Sequence, residues 1–399
     1  MALTNELLKQ KVEEVDEYVR KTRGYLHEYP ETSGKEFETS KFLQKELTEM
    51  GYEIEMVSTT GFIVTIETGK PGKTIALRAD IDALPMPESD MNLVAPKKWV
   101  SKNEGACHAC GHDAHMAMLL GATKVINEIK SELSGTILLC LEEGEEIGTG
   151  WPGMMEALSK KKIDAIWGIH VTSFMPAGTI NIDAGPRMAG VSVVEMDVIG
   201  KGGHGSRPDL SVNPVFGAAN ILVGLGTAWP NRIDAEETVT LGLATIHGGT
   251  QVNIIPDKVT IGGTIRFFST KEGEKACAVI RQVSTNIAKA HNCEVQFSEK
   301  SLIVYNPVVN DDELANMFQN SLSEVLPEGS ITHGNRWFAS ESFREYRRHA
   351  PSILAFLGIG NKGFGSGAEH HNVHFDIDED ALKMGVLSTV KIVADYLSK

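Results

Sequence analysis

The chain has 399 residues, 42% of them hydrophobic and 23% charged, a balance that excludes a disordered or fibrous class. At roughly 100–200 residues per domain, that length predicts two or three domains with ample core. The net charge is −15, from 53 acidic against 38 basic residues, and no basic block extends beyond Lys160-Lys161-Lys162, so nucleic acid is not an expected partner.

The opening segment, Met1 to Glu6, has neither a basic nor an apolar leader character, and no run approaches the roughly 18 apolar residues of a membrane span. A cytoplasmic protein without a membrane partner is expected. The five cysteines, 107, 110, 140, 277 and 293, are an odd and sparse set, which predicts reduced thiols and reserves any special cysteine for metal binding or chemistry.

Leu7, Leu8, Val12, Val15 and Val19 follow a helical period over residues 3 to 23, and Thr39 to Met50 repeats it before Gly51 ends it. Short β-branched runs follow at Phe62–Ile66 and Thr74–Leu77, then a helix over Asp113–Ile129 and a strand over Thr136–Leu141. A helix around Met154–Leu158 leads to the apolar run Ala165–Ile169. Strands alternating with helices predict an α/β catalytic domain, a mixed central sheet flanked by helices.

From Val191 the order changes to strand (Val191–Ile199), helix (Asn213–Leu225), strands (Thr238–Ile246 and Lys258–Phe268), helix (Glu272–Ala290) and strand (Glu294–Phe297). That β-α-β-β-α-β order predicts an inserted ferredoxin-like α+β domain over 187–298, with the catalytic domain discontinuous over 1–186 and 299–399. The first domain resumes with a helix over Asp311–Leu326, a strand at Ile353–Leu357 and a closing helix over Ala381–Leu397.

Chemistry concentrates in Cys107-His108-Ala109-Cys110-Gly111-His112-Asp113-Ala114-His115, where five potential ligands and a carboxylate meet at a helix entry. Cys-x-x-Cys can also be a redox pair or half of a closed zinc knuckle, but no second such pair exists to complete a knuckle, and open-site metal catalysis is favoured. Glu142-Glu143-Gly144-Glu145-Glu146 follows directly on a strand, either as a solvated acidic turn or as carboxylates gathered at a strand end, where α/β sheets build their sites. His170 closes another apolar run, and His370-His371-Asn372-Val373-His374 lies in a Gly-rich loop. Spacing alone does not choose among these three histidines. Gly200-Lys201-Gly202-Gly203-His204-Gly205 matches a dinucleotide fingerprint literally, but Ser206-Arg207-Pro208-Asp209 interrupts the helix that would carry the pyrophosphate, so a Gly-rich loop presenting His204 is the better account.

Taken together, these motifs resemble the aminoacylase and hippurate hydrolase branch of the dinuclear metallopeptidase family that includes carboxypeptidase G and the plant auxin-conjugate hydrolases. The resemblance spans nearly the whole chain. It rests on Leu77-Arg78-Ala79-Asp80-Ile81-Asp82-Ala83-Leu84-Pro85-Met86, His108 to Asp113, Glu145-Glu146, Gly168-Ile169-His170, Gly202-Gly203-His204, Asn253-Ile254-Ile255-Pro256, Gly263-Thr264-Ile265-Arg266, and Phe375-Asp376 behind His371. It implies a zinc-exopeptidase-like catalytic domain with a lid and dimerisation insert. It further implies two divalent ions, zinc or manganese first and cobalt or nickel next, on Cys110, His112, Glu146, His170 and His371, with the Cys110 thiolate bridging.

By the same resemblance Glu145 is the base that activates a metal-held water, Asp82 orients a ligand, and His204 reaches a neighbouring subunit's site in a homodimer. Asn253 and Arg266 hold the substrate carboxylate. The implied reaction is hydrolysis of an N-acyl or N-aroyl amino acid to a carboxylate and a free amino acid.

Two departures bear on substrate. The family usually has Phe-Gln-Pro-Ala before the Glu pair, where this chain has Leu141-Glu142-Glu143-Gly144, and Cys107 stands where Met is usual. The added acids predict a negative field near the site that would suit a cationic substrate group, which keeps a dipeptidase as the alternative reading. Removal of an amine from a non-peptide C–N bond and a non-enzymatic protein with a closed structural zinc are the more distant ones.

Overall fold

The computed structural model describes residues 3–334 and 336–398. The chain divides into two compact units: unit 1 comprises Met1–Gly185, Val309–Asn335 and Ser342–Lys399, and unit 2 comprises Pro186–Val308 and Arg336–Glu341.

Unit 1 opens with helix α1 (Asn5–Glu28), whose start is set by Thr4 accepting from Leu7 N–H at 3.2 Å. Its apolar stripe, Leu8, Val12, Val15 and Val19, is buried, and so are Arg23 and His27 one and two turns further on. Helix α2 (Phe37–Glu49), strands β1 (Ile54–Met56), β2 (Phe62–Glu67) and β3 (Lys73–Asp80), helix α3 (His112–Ile129), strand β4 (Gly135–Glu142), helix α4 (Trp151–Leu158), and strands β5 (Ala165–Pro176) and β6 (Ile180–Asn181) follow. The sheet order is β1-β2-β4-β3-β5, then the strand Ser352–Gly360, then β6. Its centre is parallel (β4, β3, β5 and Ser352–Gly360) and its margins antiparallel, the mixed sheet flanked by helices that the sequence predicts.

Two expectations need adjusting. β5 does not stop at Ile169: it runs on to Pro176, because Val171 to Met175 is β-compatible and pairs with Ser352–Gly360, Phe356 lying opposite His170. His170 is therefore inside a strand and not at its end. The chain also passes from unit 2 back to unit 1 between Val308 and Val309, later than 298, because Leu302 and Tyr305 bond back to Val193 and Val191.

Unit 2 is built as strand Gly190–Ile199, helix Pro214–Arg232, strands Val239–His247 and Lys258–Phe267, helix Thr270–Ala290 and strand Glu294–Phe297. The four strands form one antiparallel sheet in the spatial order second, third, first, fourth, the ferredoxin-like arrangement. Its core is Val194, Met196, Val198, Ile261, Ile265 and Phe267 against Ala218, Ile221, Leu225 and Ile280.

Unit 1 also buries charge. Arg23 Nε donates to Asp113 Oδ2 at 2.9 Å, His27 Nδ1 reaches the same oxygen at 2.8 Å, and His27 Nε2 lies 2.9 Å from Glu88 Oε1. Glu88 also accepts from Lys97 Nζ at 2.8 Å and from Ser101 N–H at 2.6 Å. Burial disfavours the Glu88 carboxylate, but the bonds from His27, Lys97 and Ser101 prevail and hold its pKa at about 2 against the ordinary 4.5. Its folded pKa being depressed, Glu88 contributes stability that is complete above 4.5 and lost as pH falls toward 2. A shift of that size corresponds to about 3 kcal/mol. In urea melts of metal-stripped protein, Glu88→Gln should be less stable by about that amount at about pH 7, and the gap should narrow toward about pH 3. A gap that stays constant with pH would refute this.

Candidate metal centre

The site grows from the loop between β3 and α3 and from the turn after β4. Gly111 stands between Cys110 and His112 with φ +89°, and a Cβ there would sit 2.3 Å from Val171 Cγ2. Only glycine lets the chain turn into α3 this close to β5, and the turn points both flanking side chains to one place. At the end of β4, Gly144 (φ +57°) reverses the chain into a 3-10 turn, Glu145–Ile147, that carries both acids of the Glu145-Glu146 pair.

Cys110 Sγ lies 3.8 Å from His170 Nε2, and His371 Nε2 lies 3.3 Å from Glu146 Oε1. His112 Nε2 is 3.9 Å from the same Glu146 oxygen. Cys110, His112 and His170 form one tight donor group, Cys110, Glu146 and His371 a second, and His112, Glu145 and Glu146 a third, sharing members. All six side chains that the sequence assigns to ligation and base chemistry thus gather in unit 1.

Whether these donors fit cations is decided by atoms they leave over. His112 Nε2 and Glu146 Oε1 are buried without a hydrogen-bond partner, a costly state for polar atoms unless something unlike a hydrogen-bond donor or acceptor satisfies them. Donors 3 to 4 Å apart suit ligands that each stand roughly 2.0–2.3 Å from a shared ion. Burial and the Glu146 carboxylate push the Cys110 thiol well above its ordinary value, and an adjacent cation supplies the opposite field that a thiolate needs. The residues fit a metal pair.

The surroundings orient the donors. His112 Nδ1–H donates to Asp82 carbonyl O at 2.9 Å and lies 3.2 Å from Asp82 Oδ1, which leaves the Nε2 lone pair toward the site. Asp82 Oδ2 accepts from Ser33 Oγ at 2.6 Å and from Glu146 N–H at 3.1 Å. His170 Nδ1–H donates to Val171 carbonyl O at 2.7 Å, turning Nε2 toward Cys110. His371 adopts φ +62°, unusual for a residue with a Cβ, and its N–H donates to Ala109 carbonyl O at 2.9 Å. Among its neighbours, His370 packs its ring 5.5 Å from that of His170 with Nε2 accepting from Ser173 N–H at 3.3 Å, and His374 Nδ1 bonds Met91 carbonyl O.

Sequence reasoning counted His115 among the potential ligands and quoted Asp80 in a motif, but gave neither a role. His115 Nδ1–H donates to Asp80 Oδ1 at 2.6 Å while Nε2 accepts from Val171 N–H at 3.0 Å, so the pair braces the β5 backbone beside His170. The signal was present, since His112 and His115 stand three residues apart on one helical face.

The expected negative field from Glu142 and Glu143 is corrected. Glu142 is fully buried, Oε1 accepting from Ser342 Oγ at 2.5 Å and Oε2 from Tyr346 OH at 2.7 Å and Arg78 Nε at 3.1 Å. Glu143 turns its carboxylate to Thr60 and to Gly61 N–H. Both charges are taken up by protein donors, because a carboxylate buried at a strand end must find them. Cys107 and Cys110 are both free and buried, and burial pushes the Cys107 thiol up to about 12.

Unit 2 carries the other candidates. His204 and Asn253 sit side by side on a ribbon where Ile254 pairs with His204 and Gly205 N–H donates to Asn253 carbonyl O at 2.8 Å. His204 Nδ1 accepts from Ser206 N–H at 3.1 Å, and its ring is exposed. Arg266 is on the main sheet of this unit between Val191 and Thr240, and burial lowers its pKa.

Comparison with known proteins agrees with this geometry. The chain is 35% identical over 400 residues to thermostable carboxypeptidase 1 of Saccharolobus solfataricus, covering 99% of each chain. It is 35% identical over 378 residues to the IAA-amino acid hydrolase ILR1-like 4 of Arabidopsis thaliana, covering 94% of this chain and 84% of that one. The crystal structure of the Bacillus subtilis YXEP protein, described as a dinuclear metal binding peptidase, superposes with a TM-score of 0.82 at 29% identity, covering 96% of this chain and 99% of that one. Residues 76–395 match peptidase family M20/M25/M40, and the chain belongs to that family.

Proposed function

We propose that the protein hydrolyses the amide bond of an N-acyl or N-aroyl amino acid, releasing a carboxylate and a free amino acid, with two divalent ions held by Cys110, His112, Glu146, His170 and His371. The observation that carries this reading is the shared donor cluster beside Glu145, in which two buried atoms, His112 Nε2 and Glu146 Oε1, have no hydrogen-bond partner. Ions bound there would acidify a water and polarise the amide carbonyl. Mixed sulfur, nitrogen and oxygen donors suit zinc or manganese first, then cobalt or nickel.

Glu145 accepts the water proton and returns it to the departing nitrogen. Asp82, bonded to both His112 and the Glu146 backbone, keeps those two donors in register. His204 supplies a donor for the oxyanion, and Asn253 and Arg266 hold the substrate carboxylate. With Glu142 and Glu143 both engaged inside the fold, the dipeptidase reading loses the ammonium anchor on which it rested.

A homodimer with a cytoplasmic location completes the reading. All five cysteines are free, and no helix among the described residues is long and apolar enough to cross a membrane. Unit 2 exposes an apolar helix face, Phe216 at 64% and Val223 at 66%, and its outer strand Val239–His247 is at a sheet edge. An exposed edge and apolar face on one unit suit an isologous contact with a second copy.

Glu145→Gln should lower kcat by about 10²- to 10⁴-fold with metal content unchanged; a fully active variant would sink the proposal. Chelation should abolish activity before the fold melts, and add-back of each metal in turn identifies the occupant. In a side-by-side assay, acetyl- and benzoyl-amino acids should be cleaved faster than free dipeptides. Faster cleavage of dipeptides would reinstate the dipeptidase reading. Sedimentation should give a dimer that Phe216→Glu combined with Val223→Glu dissociates, and a wild-type monomer with full activity would overturn the roles given to the second copy and to His204.

A further inference from the structure

Glu142 is the most conspicuous charge that the proposed reaction does not use. It ends β4 opposite Asp80 on β3, three residues before Glu145. Neither of its oxygens is spare: Oε1 takes the Ser342 hydroxyl, and Oε2 takes Tyr346 OH and Arg78 Nε. Arg78 in turn reaches Asp80 Oδ2 through Nη1 at 2.6 Å and Ser342 Oγ through Nη2 at 2.9 Å.

The consequence falls on Ser342. Its hydroxyl proton is directed at Glu142 and its oxygen lone pair at Arg78, so the side chain has one orientation. Ser342 opens the 3-10 turn Ser342–Arg348, and Tyr346, one turn on, bonds the same Glu142 carboxylate. The turn is thereby held at two points by one acid. The remaining polar group of Ser342 at its turn's start, the backbone N–H, donates to Glu145 Oε1 at 2.9 Å. Ser342 itself is 2% exposed, so water does not compete for these bonds.

We propose that Ser342, clamped by Glu142 and Arg78, is a positioning residue whose backbone N–H sets the orientation of the Glu145 carboxylate. This rests on the reading of Glu145 as the base. Glu142 therefore acts on the reaction without touching substrate: its charge orders a serine, and the serine's main chain orders the base. A base must be held within about 0.5 Å and 10–20° of its working geometry, and Glu145 stands on a short turn bounded by two left-handed glycines, Gly144 and Gly148, so a bond from outside that turn fixes where its carboxylate points.

The test compares wild type, Glu145→Gln and Ser342→Ala as the metal-loaded full chain, measuring kcat, KM, metal content and the solvent deuterium isotope effect on kcat with one acyl-amino acid. Ser342→Ala removes the hydroxyl, keeps the N–H, and leaves Glu142 paired with Arg78 and Tyr346. The expected result is a kcat about 10-fold lower with KM within about two-fold, metal content as in wild type, and a larger isotope effect, because a loosely held base makes proton transfer more rate-limiting. A loss of active fraction alone would lower kcat without moving the isotope effect. A Ser342→Ala kcat within about two-fold of wild type, a loss carried by KM or by metal content, or an unchanged isotope effect overturns the inference while Glu145→Gln remains inactive. A Glu145→Gln enzyme as active as wild type refutes the reading of the base, and this inference with it.

Discussion

The carboxylate of Asp82 meets three chain segments that are far apart in sequence. One oxygen takes the Ser33 hydroxyl and the Glu146 N–H, and the other faces His112. Burial opposes its charge, yet the bond and charge of His112 hold its pKa below the ordinary carboxylate value. As long as that anion persists, the start of α3 and the turn after β4 are bound to one point, and the three donor groups linked through Cys110, His112 and Glu146 stay close enough to act together.

The same logic extends outward. Asp80 with His115 braces β5, Glu142 with Arg78 braces the Ser342–Arg348 turn, and Asp113 with Arg23 and His27 ties α3 to α1. Each buried acid has a cationic or multiply donating partner, as burial demands. Asp113 Oδ1 is left without a hydrogen-bond partner, as are Glu146 Oε1 and His112 Nε2 at the centre, where the last two lie 3.9 Å apart. What sets the central pair apart is that both atoms stand inside a cluster of metal-type donors, an arrangement suited to positive charge supplied from outside the chain.

Much of this was legible in the sequence, for identifiable reasons. Cys110 and His112 stand out because ligand-type residues crowd a strand-to-helix turn, a local pattern. Among His370, His371 and His374 spacing did not choose; the resemblance pointed to His371, whose Nε2 lies 3.3 Å from Glu146 Oε1. Glu142 and Glu143 were misjudged because counting charges near a motif does not say which way they point, and their partners Arg78, Ser342, Tyr346 and Thr60 come from three separate stretches. The length of β5 was underestimated although Pro176-Ala177-Gly178 marks its end. Ser342 carried no signal, since its link to Glu145 spans 197 positions.

The strand Ser352–Gly360 lies against β5 in parallel, with Phe356 beside His170. All of unit 2 is encoded between these two neighbours. While the chain is being made, β5 therefore emerges with one edge unpaired and keeps it so until the whole insert has been synthesised and the later strand arrives. Parallel pairing across so long a gap closes slowly, because the loop entropy must be overcome before any ladder bond forms. The half-built sheet, carrying His170 on an open edge, is the species in this protein's folding most exposed to pairing with the wrong chain.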